Sequence, residues 1–381
     1  MERQNRNSNF EFLRIIMMLL IVFHHSIVHG VGGSTPATQL ITFGLGTKPI
    51  PFPHFFWTHN FICSCFAMFG KMAVDVFVMI SGFFLVKSHF NYKKMFSKIL
   101  RLVAQVYFYS LLIFLIAAHW HWLPINTYDV LAAIFPFFYN TYWFAIDYLL
   151  LYLVYPYINI LINNLTQKQH FNLILTLILS FTVVPVFVPS IVTKHTIELF
   201  ILFVILYIIG GYIRLYPIKN ASFDKKLGLC IFAFTIIIAV SVEFITNYIG
   251  GRTGNQAIFG NSFNIVDQYS FLILIMAVSL MYWVKNWRPH TSKTINFISA
   301  TTFGVYLIHD NPIMETVLWN NWLHMPTLFT EPALHLILVV LVVCPIIFIV
   351  CSLIDSLRLI IFNFVQRFFM VKSKLEDTKQ C

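Results

Sequence analysis

Apolar stretches close to twenty residues long recur from one end of this chain to the other, and they limit its fold more than any other feature. Ile15–Val22 with its flanks, Leu102–Ala118, Phe171–Val188, Thr196–Ile213, Leu227–Val242 and Leu334–Ile354 are the clearest. About 20 apolar residues in a helix cross the roughly 30 Å hydrocarbon core of a bilayer. In that core only a helix or a closed barrel satisfies its own backbone. Charged residues are 10% of the 381, against about a quarter in soluble domains, too few to give one core a solvated shell. The first stretch carries Glu11 and Arg14 and lacks a small-residue cleavage site, so it reads as a retained helix and not a signal peptide. The expected fold is all-α: a polytopic membrane protein forming a single membrane-embedded domain over 1–381.

Periodicity and Pro/Gly/Asn clusters place about ten transmembrane helices, at 10–29, 61–86, 99–118, 142–162, 171–190, 196–213, 227–248, 266–284, 295–317 and 333–360. Of the 25 Lys and Arg, 20 fall in one set of alternate connections and the termini, and only Lys48, Lys194 and Arg252 in the other. Basic loops stay in the cytosol, so both termini are expected to be cytoplasmic, with 361–381 a short basic tail. The formal charge of +10 then follows from topology, and no nucleic-acid partner is expected; the lipid bilayer is the partner, with anionic lipid attraction secondary. The opposite connections, 30–60 and His119–Tyr142, are rich in aromatics (Phe52, Phe55, Phe56, Trp57, Trp120, Trp122). Rings at this depth serve as interfacial belts or stack on sugars, and both readings stay open. The six cysteines are scattered. Cys63 and Cys65 are one residue apart, which is not a usual zinc spacing, so they read as apolar fillers and no metal site is expected.

Ionisable side chains inside a membrane cost several kcal/mol unless paired or hydrated, so they carry the information. The first helix holds Glu11, Arg14, His24 and His25. At 100° per residue Arg14 and His25 lie about 20° apart around the axis and about 16 Å apart along it. Glu11 falls on the same stripe one turn before Arg14, and His24 points about 100° away. The bland alternative is a snorkelling Arg with interfacial histidines. The second helix offers Lys71 and Asp75, an i,i+4 pair able to neutralise itself, then Ser81 and Gly82, the latter suited to a close helix contact. Lys93, Lys94, Lys98 and Arg101 follow, either as topology signal or as a surface for a phosphorylated cytosolic compound. A later helix carries Tyr306, His309 and Asp310 before Pro312. Histidine is a general base near working pH, a neighbouring carboxylate fixes its tautomer, and Arg binds phosphate or a developing oxyanion. No nucleophile elbow, phosphate-binding glycine loop or metal-ligand motif is present. Transfer from an already activated thioester needs none of these.

Five segments, in order, carry a resemblance. They are Asn9-Phe-Glu-Phe-Leu-Arg14 through His24-His25; Gly70-Lys-Met-Ala-Val-Asp75 through Ser81-Gly-Phe83; Lys98-Ile-Leu-Arg101; Tyr142-Trp-Phe144 continuing to Tyr152 and Pro156; and Phe303-Gly-Val-Tyr-Leu-Ile-His309. Together they resemble the acyltransferase-3 family of integral membrane O-acyltransferases. The resemblance implies a catalytic set of His25 and Arg14 with Glu11. It implies Lys98 and Arg101, with Arg14, at the donor site, and Lys71, Asp75, Ser81, Trp143, Tyr306 and His309 as substrate-facing or structural polar positions. The donor it implies is acetyl-CoA or another acyl-CoA, with no tightly bound cofactor. The acceptor is a hydroxyl of a carbohydrate or polysaccharide at the outer face of a bacterial plasma membrane. The fourth segment has Trp-Phe where another branch has Trp-Ser-Leu and a following Glu, so Asp147 does not inherit that Glu's role. A fused extracytoplasmic esterase-like domain is not expected, and the flavour is similar to Gram-positive polysaccharide or wall-polymer enzymes. The rival class is a polysaccharide exporter or flippase, which would favour half-sequence symmetry and helices broken near the midplane.

Overall fold

The computed structural model describes residues 7–32, 56–183, 196–218, 220–255, 258 and 266–377. Most of the aromatic 30–60 connection, with Lys48 and Lys194, lies outside the described residues, as do Arg3, Arg6, Lys219 and Lys379. The described residues are all-helical, as expected. In chain order the helices are α1 Ser8–His25, α2 Phe56–Leu85, α3 Tyr92–His119, the short α4 Thr127–Ile134, α5 Trp143–Asn163, α6 Gln167–Ile178, α7 Thr196–Leu215, α8 Ala221–Thr253, α9 Phe271–Lys285, α10 Lys293–His309 and α11 Ala333–Asp377. Among the described residues six segments are long and apolar enough to cross a membrane: Ser8–Val31, Trp57–Leu85, Tyr92–His119, Trp143–Asn163, Ala221–Thr253 and Ala333–Phe362. Leu199–Leu215 and Phe271–Lys285 are shorter apolar helices.

The bundle is built around α1 and α2. The apolar windows of these two are 50% and 61% buried, against 22% for α3 and α8, so the first two form the hub and the others the wall. The wall's outer face is apolar: Phe234, Ile237, Leu353, Leu357 and Ile360 are exposed, while Glu11, Asp75, Glu243, Asp310 and Asp355 are buried. Ionisable groups inside and aliphatic groups outside is the arrangement a hydrocarbon solvent selects. Where α2 crosses α7 the contact is backbone on backbone. A Cβ on Gly82 would stand 2.1 Å from the Tyr207 carbonyl oxygen, and one on Gly210 would stand 2.2 Å from that of Met79. The close helix contact expected at Gly82 is present, and only glycine permits it.

Four differences from the expected elements have local causes. The first helix changes pitch after His25 and continues as a π-helical turn, Ser26–Val31. The expected 295–317 helix stops at His309, because Pro312 has no N–H to donate and its ring would strike the carbonyl four residues back. Asn311 instead caps a new turn, accepting from the Ile313 N–H at 3.0 Å, and a π-helical segment Glu315–Trp322 follows. The extra helix α4 is set by a capping box, the Asn126 side chain accepting from the Asp129 N–H and the Asp129 side chain from that of Asn126. The last helix continues past 360 to Asp377, since Lys and Arg are good helix formers and charge alone does not stop a helix.

Candidate active site

The helices α1 and α10 run parallel, fastened rung by rung. The Ser8 hydroxyl donates to the Asn296 side chain at 2.9 Å. Glu11 accepts from the Ser299 hydroxyl and, at 2.9 Å, from Arg14 Nη1. At the far end His25 Nδ1 lies 2.9 Å from His309 Nε2 and 3.0 Å from Asp310 Oδ1. Between these anchors a cavity of about 270 Å³ opens among α1, α2, α5 and α10, lined by Glu11, Arg14, His25, Ser81, Trp143 and Tyr306 with apolar neighbours. The expected stripe Glu11, Arg14, His25 therefore faces one cavity. Of the further polar positions, Ser81, Trp143 and Tyr306 join it, and His309 stands directly behind His25.

His24 leaves the stripe. Its Nδ1 lies 2.8 Å from the Ala67 carbonyl oxygen, and Gly70 makes room for its Cβ. Lys71 and Asp75 do not pair with one another, contrary to the expectation. Lys71 Nζ donates to Asp267 Oδ1 at 2.6 Å, and Asp75 accepts from Gln268 Nε2 at 2.6 Å. A segment 196 residues away supplies both partners, so the available i,i+4 contact is not used, and neither side chain lines the cavity.

Lys98 donates to the Tyr152 hydroxyl at 2.9 Å and lines a second, smaller cavity of about 210 Å³ with Leu102, Tyr148 and Tyr152. Leu102 and Tyr148 line both cavities, so the two adjoin. Phe144, Tyr148 and Tyr152, four residues apart on α5, form a file of rings from one to the other: Phe144–Tyr148 centroids are 5.8 Å apart and Tyr148–Tyr152 6.0 Å. Arg101 is exposed and lines neither cavity.

Three contributors escaped sequence reasoning. His29, on the π-helical turn, places Nε2 3.3 Å from Asp310 Oδ1 and Nδ1 3.4 Å from Glu315 Oε2. The only hint of it was its spacing of four from His25. Glu315 and Ser299 gave no signal, because only the tertiary fold brings them to α1. No metal-ligand motif is present in the sequence, yet His25, His29 and Asp310 bring three ligand atoms within 4.8 Å of one another, a set that spacing alone does not reveal.

An all-helical body with membrane-length helices, apolar outside and enclosing an Arg–His cavity, defines a multi-pass membrane protein with a polar site inside its bundle. Residues 7–355 match the acyltransferase-3 family, described as an acyltransferase domain, and the chain belongs to that family. It is thus a membrane acyltransferase of the O-acyl transfer type. No curated protein and no solved structure matches the chain.

Proposed function

We propose that this protein moves an acyl group, acetyl in the simplest case, from a cytosolic acyl-CoA to a hydroxyl of a cell-surface or lipid-linked carbohydrate. Its setting is a bacterial plasma membrane, and its flavour that of a Gram-positive polysaccharide or wall-polymer enzyme. The observation that carries the reading is that Arg14 and His25 open onto one cavity, and that this cavity adjoins the one lined by Lys98. Ten spans with both termini cytoplasmic complete the picture. Parity supports that count: α1 and α10 run parallel, which requires an odd number of crossings between them, and α2, α3, α5, α6, α7, α8 and α9 make seven. The distribution of basic residues supports a cytosolic side for Lys98 and the start of α1.

The donor's anionic part meets Lys98, with Arg101 beyond it, and the pantetheine arm follows the Tyr152–Tyr148–Phe144 face toward His25. Arg14 is drawn toward the start of α1 by Glu11. Eleven residues of helix put its Cα about 16 Å from that of His25 along the axis, whereas an oxyanion donor works at about 3 Å. Arg14 therefore holds the donor and not the reacting carbonyl, with Glu11 positioning it. His25 removes the proton from the acceptor hydroxyl as its oxygen attacks the thioester carbonyl. The new C–O ester bond forms, the C–S bond breaks, and the proton passes to the departing CoA thiolate.

Mass spectrometry of surface glycans from cells carrying the native protein or His25→Ala tests this. The expected result is loss of an ester-linked acyl group with glycan quantity unchanged. Loss of the glycan itself would reject acyl transfer in favour of export.

A further inference from the structure

Behind His25 sits a run of groups whose hydrogen positions the geometry fixes. His309 Nδ1 lies 2.6 Å from the Val305 carbonyl oxygen, which can only accept, so Nδ1 carries the hydrogen. In a neutral imidazole the other nitrogen is then an acceptor. That acceptor, His309 Nε2, faces His25 Nδ1 at 2.9 Å, and Asp310 Oδ1 faces the same nitrogen at 3.0 Å. His25 Nδ1 therefore donates its hydrogen to His309 Nε2; the Asp310 carboxylate, an ion-pair contact outside hydrogen-bond geometry, adds negative potential beside that protonated nitrogen, and Nε2 is the basic nitrogen of the ring that lines the cavity. From Asp310 the run continues outward through His29 to Glu315. Exposure rises along it: the His25 and Asp310 side chains are 8% and 6% exposed, those of His29 and Glu315 26% and 31%.

We infer that Asp310 is the positioning residue of the acyl-transfer base, holding His25 in the tautomer with Nε2 unprotonated, and that His29 and Glu315 hold Asp310 in place from the solvent-facing side. The inference rests on the His25 reading above. Asp310 caps the end of α10, its own N–H still donating to the Tyr306 carbonyl at 3.1 Å, so the helix itself carries the carboxylate to His25. The same atoms offer a rival use, a divalent cation on His25, His29 and Asp310. A cation on His25 Nδ1 would remove the hydrogen from that atom and leave its coordinated nitrogen 2.9 Å from the lone pair of His309 Nε2, with nothing between them. With no cation bound, the hydrogen bond from His25 Nδ1 to His309 Nε2 is kept and the conflict does not arise.

The test uses the purified full chain in lipid nanodiscs, acetyl-CoA as donor and the expressing strain's own surface polysaccharide as acceptor, with release of CoA thiol as readout. In Asp310→Asn the side chain can present an N–H₂ to His25 Nδ1 and select the opposite tautomer. We expect kcat to fall by about 10²–10⁴-fold, with KM for acetyl-CoA and the melting temperature little changed, and Asp310→Glu to restore part of the loss. A structural role would move the melting temperature and leave kcat per folded molecule intact. If Asp310→Asn does not accumulate in the membrane, His29→Asn and Glu315→Gln, at partly exposed positions, carry the test with losses in kcat of about threefold to tenfold. Wild-type kcat in Asp310→Asn, or in both substitutes, overturns the inference while leaving His25 as the base, provided His25→Gln is inactive. An active His25→Gln overturns the base assignment itself. Loss of activity on chelation, restored by a divalent cation, overturns the hydrogen-bonded reading in favour of the metal.

Discussion

Adjacent histidines in α1 face different neighbours, and replacing each in turn separates catalysis from packing. His24 makes one hydrogen bond to the Ala67 carbonyl and packs where α1 and α2 touch at Gly70; His25 lines the cavity. In His24→Ala the lost hydrogen bond removes about 0.5–1.5 kcal/mol. The lost ring contacts bring the total to about 1–3 kcal/mol of stability, within the usual range for a single substitution. Activity per folded molecule should stay within about threefold of wild type, since the base and its supports are untouched. His25→Gln keeps an amide N–H for Asp310 but has no basic nitrogen. It should lose about 10²–10⁴ in kcat, equivalent to about 2.7–5.4 kcal/mol of barrier, with a smaller change in melting temperature than His24→Ala. Quantitative immunoblotting of membranes gives the protein level, thermal unfolding in detergent gives stability, and acyl-ester formation gives activity. Equal loss of specific activity in the two variants would refute the helical-face argument, because two residues 100° apart cannot both present a base to one cavity.

Lys98→Ala should raise KM for acetyl-CoA by about tenfold to a hundredfold, roughly one charge-assisted hydrogen bond's worth, with kcat nearly unchanged in steady-state assays; Arg101→Ala should do less, being exposed and outside both cavities. Tyr148→Ala removes a ring shared by the two cavities, so the ratio of butyryl to acetyl transfer, measured by mass spectrometry, should rise. Gly82→Ala would set a Cβ 2.1 Å from the Tyr207 oxygen, forcing α2 and α7 apart by about 1 Å at a cost of about 1–3 kcal/mol. A fall in melting temperature with intact specific activity is the expected result.

How much of this was legible in the chain depends on sequence distance. The Glu11–Arg14–His25 stripe lies within one helix, so helical periodicity alone placed all three on one face, and the structure has them lining one cavity. Gly82 was similarly readable, since a small residue in a membrane helix has few other uses. Lys71 and Asp75 show the limit of the same reasoning. Their spacing permits a pair, yet Asp267 and Gln268 reach them from a distant loop, and nothing local signals which partner wins. Asp310 is visible beside His309, but nothing local shows that it meets His25, on the first helix of the chain. Hydropathy continues across Pro312, whereas the backbone cannot. His29 and Glu315 acquire roles only through the π-helical turn and the broken helix, two departures from regular geometry that a periodic reading averages away.

The parallel pair of α1 and α10 explains why a site this long can be rigid. Ser299 of α10 holds Glu11 near the start of α1, and His309 holds His25 near its end, so the two helices are pinned together on either side of the cavity. With both ends pinned, the distance between donor-holding and proton-accepting groups is set by backbone geometry and not by flexible side chains. Inserting one alanine into α1 between Leu19 and Leu20 would rotate His25 by about 100° relative to Arg14 and move it off Asp310. Inserting residues into the loop before α4 would leave both rungs intact. Loss of transfer in the first case, with transfer kept in the second, is what a two-helix frame requires. Survival of activity in the first would mean that His25 does not depend on the support behind it.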